Sequence, residues 1–344
     1  MSKIIYVPLE HIDARYTIHL DRDITTHLEQ HHPNFIKLYP DVTPSRPLPA
    51  GMFLDAPFTT KFKSLQLSEL ANLYETDQIQ DGDIIFFSDL WFPGIESIAY
   101  MNHFTGKNVK IRGLLHAGSF TDTDEVRQFE RWAKNFEDII FDLVDCVYVA
   151  SEFIKNDVSK KRFIDPAKIQ VTPFPLDHMN LNLYSELKKN DPILIFNGRD
   201  HIEKQPWLWK QIQTKLVKRW NKLNPNTQCP FKFVWTQEER LSKSEYYKLL
   251  AKSSAVISFA LQENFGYGIA EATYLGCIPV LPNRLVYPEM YNSKCLYDTF
   301  EDAIDMAYDA LTNYDGFMSS INYNACNNRM LTTCNLDSVK KWFI

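Results

Sequence analysis

The sequence feature that most limits the possible folds is a regular alternation between short β-rich apolar runs and longer helical patterns. Such alternation is typical of βαβ units, which form parallel sheets covered by helices. The sequence therefore predicts an α/β fold with two consecutive doubly wound sheets. The predicted strands are residues 4–7, 83–90, 109–116, 146–151, 169–174, 193–197, 231–236, 255–260, 277–282 and 295–298, and the clearest predicted helices are residues 125–144 and 206–223.

Chain length and apolar content indicate more than one core. The 344 residues are 45% hydrophobic and 14% aromatic, and a single core usually stops growing below this length. A polar segment over residues 180–191 separates the two sets of predicted strands. We expect a first domain over residues 1–186, a second over residues 187–335, and a C-terminal helix in residues 336–344 that packs back on the first.

Charge and cysteine content exclude several classes of protein. Lysine and arginine number 37 against 43 acidic residues, and a net charge of −6 argues against a strongly basic nucleic-acid binder. The six cysteines are scattered without Cys-x-x-Cys spacing, so neither a disulfide framework nor a zinc site is indicated. No apolar run is long enough for a membrane helix or a secretory signal. We expect a cytoplasmic protein without an integral membrane segment.

One motif combines a glycine turn with two cations directly after the predicted strand 193–197. Gly198 and Arg199 follow the strand, and Lys204 comes five residues after Arg199. A turn between a strand and a helix offers backbone N–H groups, arginine can bind an anion through two nitrogens, and lysine adds a point charge. The motif fits a diphosphate site, although a solvated loop of this composition is as common.

A second motif places two glutamates around a glycine turn after the predicted strand 255–260. Gly266 and Gly268 allow the backbone to approach a ligand and to begin a helix. Glu263 then lies at the carboxyl end of the strand, and Glu271 about one turn into the helix. Carboxylates accept hydrogen bonds from vicinal hydroxyls, which suits a sugar or a ribose. The alternative is a capping glutamate beside a surface glutamate.

Together the two motifs resemble the C-terminal half of retaining GT-B glycosyltransferases of the family 4 type, which have two Rossmann-like domains facing a cleft. The resemblance implies that Arg199 and Lys204 neutralise the donor diphosphate and that Glu271 holds the ribose hydroxyls. By the same carry-over, Glu263 lies beside the transferred sugar. The implied donor-binding residues are Gly198, Arg199, Lys204, Glu263, Asn264, Phe265, Gly266, Tyr267, Gly268 and Glu271.

The resemblance also assigns roles to the two domains and to one histidine. Residues 1–186 would bind the acceptor, and residues 187–335 the nucleotide sugar. His116 ends the predicted strand 109–116, where such enzymes place a histidine that reaches the donor sugar. A lone histidine is otherwise usually structural. The implied catalytic residues are His116, Arg199, Lys204 and Glu263.

The N-terminus departs from the family pattern, which has a glycine-rich loop after the first strand. Here the strand is followed by Pro8-Leu9-Glu10-His11-Ile12-Asp13-Ala14-Arg15. Without glycines the loop offers side chains where the family offers backbone to a phosphate. We therefore expect His11, Asp13, Arg15 and Tyr16 on the acceptor side.

Residues 276–289 are similar to the corresponding segment of the tRNA-queuosine mannosyltransferases, which glycosylate a modified base. On this likeness we expect a modified nucleobase in DNA or tRNA as the acceptor, with Arg284 on the acceptor side. Hydroxymethylated DNA in a phage-infected host is one such case. A glycan or lipid acceptor is the first alternative, and a catalytically silent sugar-nucleotide binder is the second.

The expected reaction is a metal-independent transfer from a UDP- or GDP-sugar, with no further cofactor. A metal-dependent GT-A enzyme would need one of the Asp-x-Asp pairs at residues 21–23, 81–83 or 122–124. The sequence contains neither a Gly-Lys-Ser/Thr phosphate loop nor a serine nucleophile elbow, which disfavours an NTPase or a hydrolase. The sequence does not indicate an oligomeric state.

Overall fold

The computed structural model describes residues 2–12, 15–45, 55–187, 191–239, 241–322, 330, 334 and 337–344, without the side chain of Glu125. The chain forms two compact units. The first spans Met1–Pro173 and Leu336–Ile344, and the second spans Phe174–Asn335.

The first unit is built on a parallel sheet. Its strands are β1 (Ile4–Val7), β2 (Ile36–Lys37), β3 (Ile84–Phe87), β4 (Lys110–Leu114), β5 (Cys146–Val149) and β6 (Ile169–Val171), in the order β2-β1-β3-β4-β5-β6. The helices between them are α1 (Thr17–His31), α2 (Ala56–Glu75), α3 (Ile95–Thr105), α4 (Glu130–Leu143) and α5 (Glu152–Lys161), with 3-10 turns at Glu125–Phe129 and Pro166–Lys168. Strands β1 and β5 are apolar and buried throughout, because helices cover both faces of a parallel sheet.

The second unit is also a parallel α/β sheet. Its strands are β7 (Asp191–Phe196), β8 (Lys232–Trp235), β9 (Ser253–Ile257), β10 (Ile278–Pro282) and β11 (Leu296–Tyr297), in the order β11-β10-β9-β7-β8. Its helices are α6 (His178–Leu181), α7 (Pro206–Leu223), α8 (Thr236–Glu239), α9 (Lys243–Lys252), α10 (Tyr267–Tyr274), α11 (Tyr287–Met290), α12 (Phe300–Thr312) and α13 (Tyr314–Ser320), with 3-10 turns at Ile202–Lys204 and Ser293–Cys295. Two parallel α/β units confirm the predicted fold class.

The boundary between the units lies at residue 173 rather than near residue 186 as predicted. The segment after Pro173 already belongs to the second unit. In that unit the ring of His178 lies 2.8 Å from the carbonyl oxygen of Cys334 and bonds to it. The polar segment on which the prediction rested therefore falls within the second unit and does not mark its boundary.

A last helix, α14 (Asp337–Trp342), lies in the first unit. Trp342 is fully buried and its ring stacks on Phe86, with centroids 5.9 Å apart. Its indole N–H donates to Thr172 Oγ1 at 2.8 Å, and its carbonyl accepts from Tyr148 Oη at 3.1 Å. Because both polar groups of this residue are bonded inside the core, the helix is an integral part of the first unit.

Candidate functional site

The strand order of the second unit reverses at β7 and β9. The chain passes from β7 to β8 on one side, then returns to β9 on the other side of β7 and continues to β10 and β11. Ligands of open parallel sheets bind at such a switch point, at the carboxyl ends of the strands. The two sequence motifs directly follow β7 and β9, so the fold brings them to one edge of the sheet.

The turn after β7 is close-packed around its glycine. A Cβ atom on Gly198 would stand 2.4 Å from the ring of Phe196 and 3.1 Å from Lys204 Cβ, so a larger residue requires the turn to shift. Lys204 Nζ donates to the carbonyl of Gln262 at 2.5 Å and lies 3.2 Å from Glu263 Oε2. The structure therefore places the lysine of the first motif beside the first glutamate of the second.

Arg199 contacts a buried carboxylate that the sequence analysis missed. Its Nη2 lies 2.5 Å from Glu203 Oε1, and the Glu203 side chain is only 1% exposed. Lys204 Nζ lies 3.8 Å from the same oxygen. Glu203 thus positions both cations of the turn. The signal available in the sequence was its spacing of four residues from Arg199.

The turn after β9 leads into α10 through two glycines. Gly266 has a φ of 80°, in the left-handed region that favours glycine, and forms the N-cap of the helix. A Cβ atom on Gly268 would lie 2.9 Å from Asn197 Nδ2, so glycine allows the residue after β7 to pack directly on the first turn of α10. The first N–H groups of a helix have no partner inside it and carry a partial positive charge.

A cavity of about 80 Å³ lies between the two motifs. The predicted donor-binding residues that line it are Gly198, Lys204, Glu263, Gly266, Tyr267 and Gly268, and the other lining residues are Phe196, Asn197, Ile257, Ser258, Ile269 and Tyr287. A lysine, two glycine turns and a helix N-terminus around one small space favour an anion such as a phosphate group.

Glu271 is held by two residues of α9. Its Oε1 accepts from Lys243 Nζ at 2.8 Å and from Tyr247 Oη at 2.9 Å. Burial and the charge of Glu271 raise the pKa of Tyr247, which therefore stays protonated and donates. Neither residue was predicted from the sequence. Their i, i+4 spacing puts them on one face of a helix, but nothing in the sequence says what that face meets.

The remaining predicted residues of the second unit support the turn after β9. Asn264 Oδ1 accepts from Gln262 Nε2 at 3.0 Å, and the Phe265 ring packs against another aromatic residue, Tyr267, with centroids 4.6 Å apart. Arg284, predicted on the acceptor side, donates through Nε and Nη2 to two backbone carbonyls at residues 260 and 259, at 2.9 and 3.1 Å. Two of its nitrogens thus hold the segment that follows β9.

In the first unit, His116 follows β4 and contacts the end of β3. Its Nε2 lies 2.7 Å from the carbonyl oxygen of Ser88, so this nitrogen carries the proton. Burial lowers the pKa of His116, and the imidazole is therefore neutral near pH 7. The Tyr16 ring packs on it with centroids 5.0 Å apart. A neutral imidazole held in this way can accept a hydrogen bond through its second nitrogen.

The loop after His116 is held by a buried ion pair. Arg162 Nε lies 2.6 Å from Glu137 Oε2, with side chains 2% and 1% exposed. Glu137 also accepts from the backbone N–H and the hydroxyl of Ser119, at 2.6 and 2.9 Å. Two bonds of this carboxylate therefore fix Ser119 in the loop that begins at His116, and in a third it accepts from Trp91 Nε1 at 3.1 Å.

His11 lies at the same edge of the first sheet, in a charged cluster. Its Nε2 lies 2.8 Å from Asp21 Oδ2, and Lys37 Nζ lies 2.6 Å from the same oxygen. Burial alone would raise the pKa of Asp21, but hydrogen bonds from His11 and Lys37 outweigh it, and the pKa lies below its usual value. The aspartate is therefore ionised.

Arg15 and Tyr16 precede α1 in the same unit. Burial raises the pKa of Tyr16, the negative charge of Asp89 adds to the effect, and the charge of Arg15 opposes it. Arg15 directly precedes the tyrosine that packs on His116. Asp13, the fourth residue predicted here, lies outside the described residues.

Among the residues that the structure describes, no group of three or more His, Cys, Asp or Glu side chains is arranged to hold a metal ion. None of the helices in those residues is both long and apolar enough to cross a bilayer.

Solved structures with a similar fold cover nearly the whole chain. Sucrose-phosphate synthase from Thermosynechococcus elongatus is 11% identical, with a TM-score of 0.65 over 100% of this chain and 97% of that one. An α,α-trehalose-phosphate synthase (UDP-forming) from Burkholderia vietnamiensis is 12% identical, with a TM-score of 0.64 over 100% and 98%. A glycosyltransferase from Rickettsia africae is 12% identical, with a TM-score of 0.61 over 99% and 96%.

Sequence comparison gives a narrower match. No protein-family model matches the chain. The tRNA-queuosine α-mannosyltransferase of Drosophila melanogaster is 48% identical over 59 residues, which are 17% of this chain and 16% of that protein. The relative and the structural neighbours are glycosyltransferases, which confirms the resemblance seen in the motifs. The chain therefore has the GT-B fold of the glycosyltransferases.

Proposed function

We propose that the protein is a retaining glycosyltransferase that moves a sugar from a UDP- or GDP-sugar to a hydroxyl group. The observation that carries this proposal is the cavity at the switch point of the second unit. Lys204, the turn at Gly198 and the glycines at the start of α10 all line this cavity. Glu271 lies one turn into the same helix, where its carboxylate suits ribose hydroxyls.

The residues of the second unit suit the departure of a nucleoside diphosphate. The bond from the sugar to the diphosphate oxygen breaks while a bond to the acceptor oxygen forms on the same face, and the acceptor proton passes to the departing phosphate. Lys204 and Arg199 stabilise the charge that develops on that phosphate. In this proposal side-chain cations take that role, so that the reaction needs neither a metal nor a further cofactor.

The proposed acceptor is a hydroxyl on a modified nucleobase in DNA or tRNA, in the cytoplasm of a cell or of a phage-infected host. The support is the likeness of residues 276–289 to tRNA-queuosine mannosyltransferases and the 48% identity over 59 residues to one such enzyme. A glycan or lipid acceptor, or sugar-nucleotide binding without transfer, would replace this part of the proposal.

Nucleoside mass spectrometry tests the reaction and the acceptor together. The protein is incubated with UDP- and GDP-sugars, bulk tRNA and hydroxymethylcytosine-containing DNA, with Lys204→Ala as the inactive control. Lys210→Ala changes an exposed lysine of α7 and serves as the matched active control. We expect a pentose or hexose mass on one nucleoside. Donor binding without an adduct would move the acceptor to a glycan or lipid or favour a silent binder, and absence of donor binding would refute the glycosyltransferase proposal.

A further inference from the structure

Asn197 directly follows β7 and precedes Gly198, and its amide is held in one orientation. Asn197 Nδ2 donates to the carbonyl of Gly268 at 2.7 Å and lies 3.2 Å from Tyr246 Oη. A carbonyl can only accept, so the nitrogen of the amide must face Gly268. The amide oxygen therefore points away from α10.

The oxygen of this amide has no hydrogen-bond partner among the described residues. Asn197 Oδ1 is buried, and Asn197 lines the cavity with Gly198 and Lys204. A buried acceptor left unbonded is costly, and native structures keep few of them. An unbonded acceptor beside a cavity therefore indicates a ligand group that donates to it.

The chemistry of the neighbouring residues limits what this ligand group can be. Lys204 and the start of α10 suit a diphosphate, which only accepts hydrogen bonds and cannot satisfy an amide oxygen. In a nucleoside diphosphate sugar, the donors that flank the diphosphate are the hydroxyls of the ribose on one side and of the transferred sugar on the other. Both offer the same O–H group.

We propose that Asn197 Oδ1 accepts a hydrogen bond from a hydroxyl next to the diphosphate and so recognises the donor substrate. This inference rests on the proposed function and adds a specificity residue to its donor site. Gly268 is required for this role, because a Cβ atom there would lie 2.9 Å from Asn197 Nδ2 and displace the amide.

Calorimetric titration of the full chain tests the inference. Wild type and Asn197→Ala are titrated with UDP, GDP, their 2′-deoxy and 3′-deoxy forms, UDP-glucose and GDP-mannose, with Asn197→Ser as a second variant should Asn197→Ala not fold. A ribose contact predicts about five- to tenfold weaker binding of UDP or GDP and little change for the analogue that lacks the hydroxyl concerned. A sugar contact predicts that loss for UDP-glucose or GDP-mannose and none for free UDP or GDP.

Two results overturn the inference. Equal weakening for every ligand, including the deoxy forms, assigns Asn197 a structural role through Gly268 and Tyr246. Unchanged affinity for every ligand means that the amide oxygen contacts none of them. Both require that wild type binds a nucleotide. If wild type binds none of these ligands, the proposed function fails instead, and the two failures are thereby separated.

Discussion

The carboxyl edges of the two sheets are built in opposite ways. The edge of the second unit relies on glycine: Gly198 and Gly268 bring backbone and Lys204 to a small cavity. The edge of the first unit relies on side chains that hold one another, as His11 is held by Asp21. A backbone site suits a diphosphate, which is common to all nucleotide-sugar donors, whereas a side-chain site can be adapted to one acceptor. Under the proposed function, acceptor specificity therefore belongs to the first unit.

The largest effect we expect concerns the buried ion pair that supports the carboxyl edge of the first sheet. Arg162→Ala leaves the buried carboxylate of Glu137 without its cation, and removing one partner of such a pair costs about 3–5 kcal/mol. Urea denaturation should show this loss in the free energy of unfolding of the first unit. Lys161→Ala, a neighbour whose side chain is 31% exposed, is the control and should cost at most about 1 kcal/mol. A loss for Arg162→Ala no larger than the control would contradict the role of the pair.

The next largest effect concerns the carboxyl edge of the second sheet. Lys204→Ala removes the cation of the cavity, and we expect kcat/KM to fall by about 10²–10³-fold, because charge on the departing phosphate loses its stabilisation. Steady-state kinetics with the donor and acceptor identified by mass spectrometry measure this change. Lys210→Ala should retain full activity. A fall of less than about threefold for Lys204→Ala would remove this lysine from the proposed chemistry.

A smaller effect distinguishes the role of the carboxyl edge of the first sheet from that of the second. His116→Gln removes the neutral imidazole next to Ser88, and we expect sugar transfer to slow by about tenfold while the affinity for free UDP or GDP stays unchanged. Kinetics and calorimetry on the same preparation give both quantities. The exposed His103→Gln is the matched control. Loss of nucleotide affinity in His116→Gln would contradict the expectation that only the second unit binds the nucleotide.

The smallest effect concerns pH and the side of the first unit away from its carboxyl edge. Burial, with the charges of His31, His32 and Lys340, lowers the pKa of His27 from 6.5 to about 4. Its ring stacks on Phe343, with centroids 5.6 Å apart. The unfolded chain therefore binds more protons between these two values, so the stability of the first unit falls as the pH falls from 6.5 to 4.

Thermal melting at pH 7 and pH 4.5 measures this dependence. Because the His27 ring is partly exposed and screened by solvent, we expect it to account for a fall in Tm of about 2–4 °C. His27→Gln should reduce the pH dependence by that amount, and His103→Gln should leave it unchanged. An unchanged pH dependence in His27→Gln would show that another group titrates.

Much of the fold could be predicted because its signals are local. The predicted helix 206–223 coincides with α7, since Pro206 marks its first residue. Strand β2 was missed, because its two residues, Ile36 and Lys37, form no apolar run and are only half-buried. The sheet recruits them through pairing with β1, which is a tertiary effect.

The candidate site could be predicted in part for the same reason. The glycines and cations of the two motifs directly follow strands, where topology alone brings them together. Lys243 and Tyr247 could not be identified, because their partner Glu271 is on another helix and the contact exists only after folding. The unbonded amide oxygen of Asn197 likewise cannot be identified until the two hydrogen bonds of the amide nitrogen are known.

The position of α14 sets an order of events during synthesis. The second unit lies between the two segments of the first, so all of its residues are synthesised before Trp342 is added. Until then Tyr148 and Thr172 lack the partner that fills the core beside them. The first unit, whose synthesis begins first, therefore cannot reach its native packing before the second unit has been synthesised, and a stall between residues 174 and 335 leaves its apolar interior open to chaperones or to aggregation.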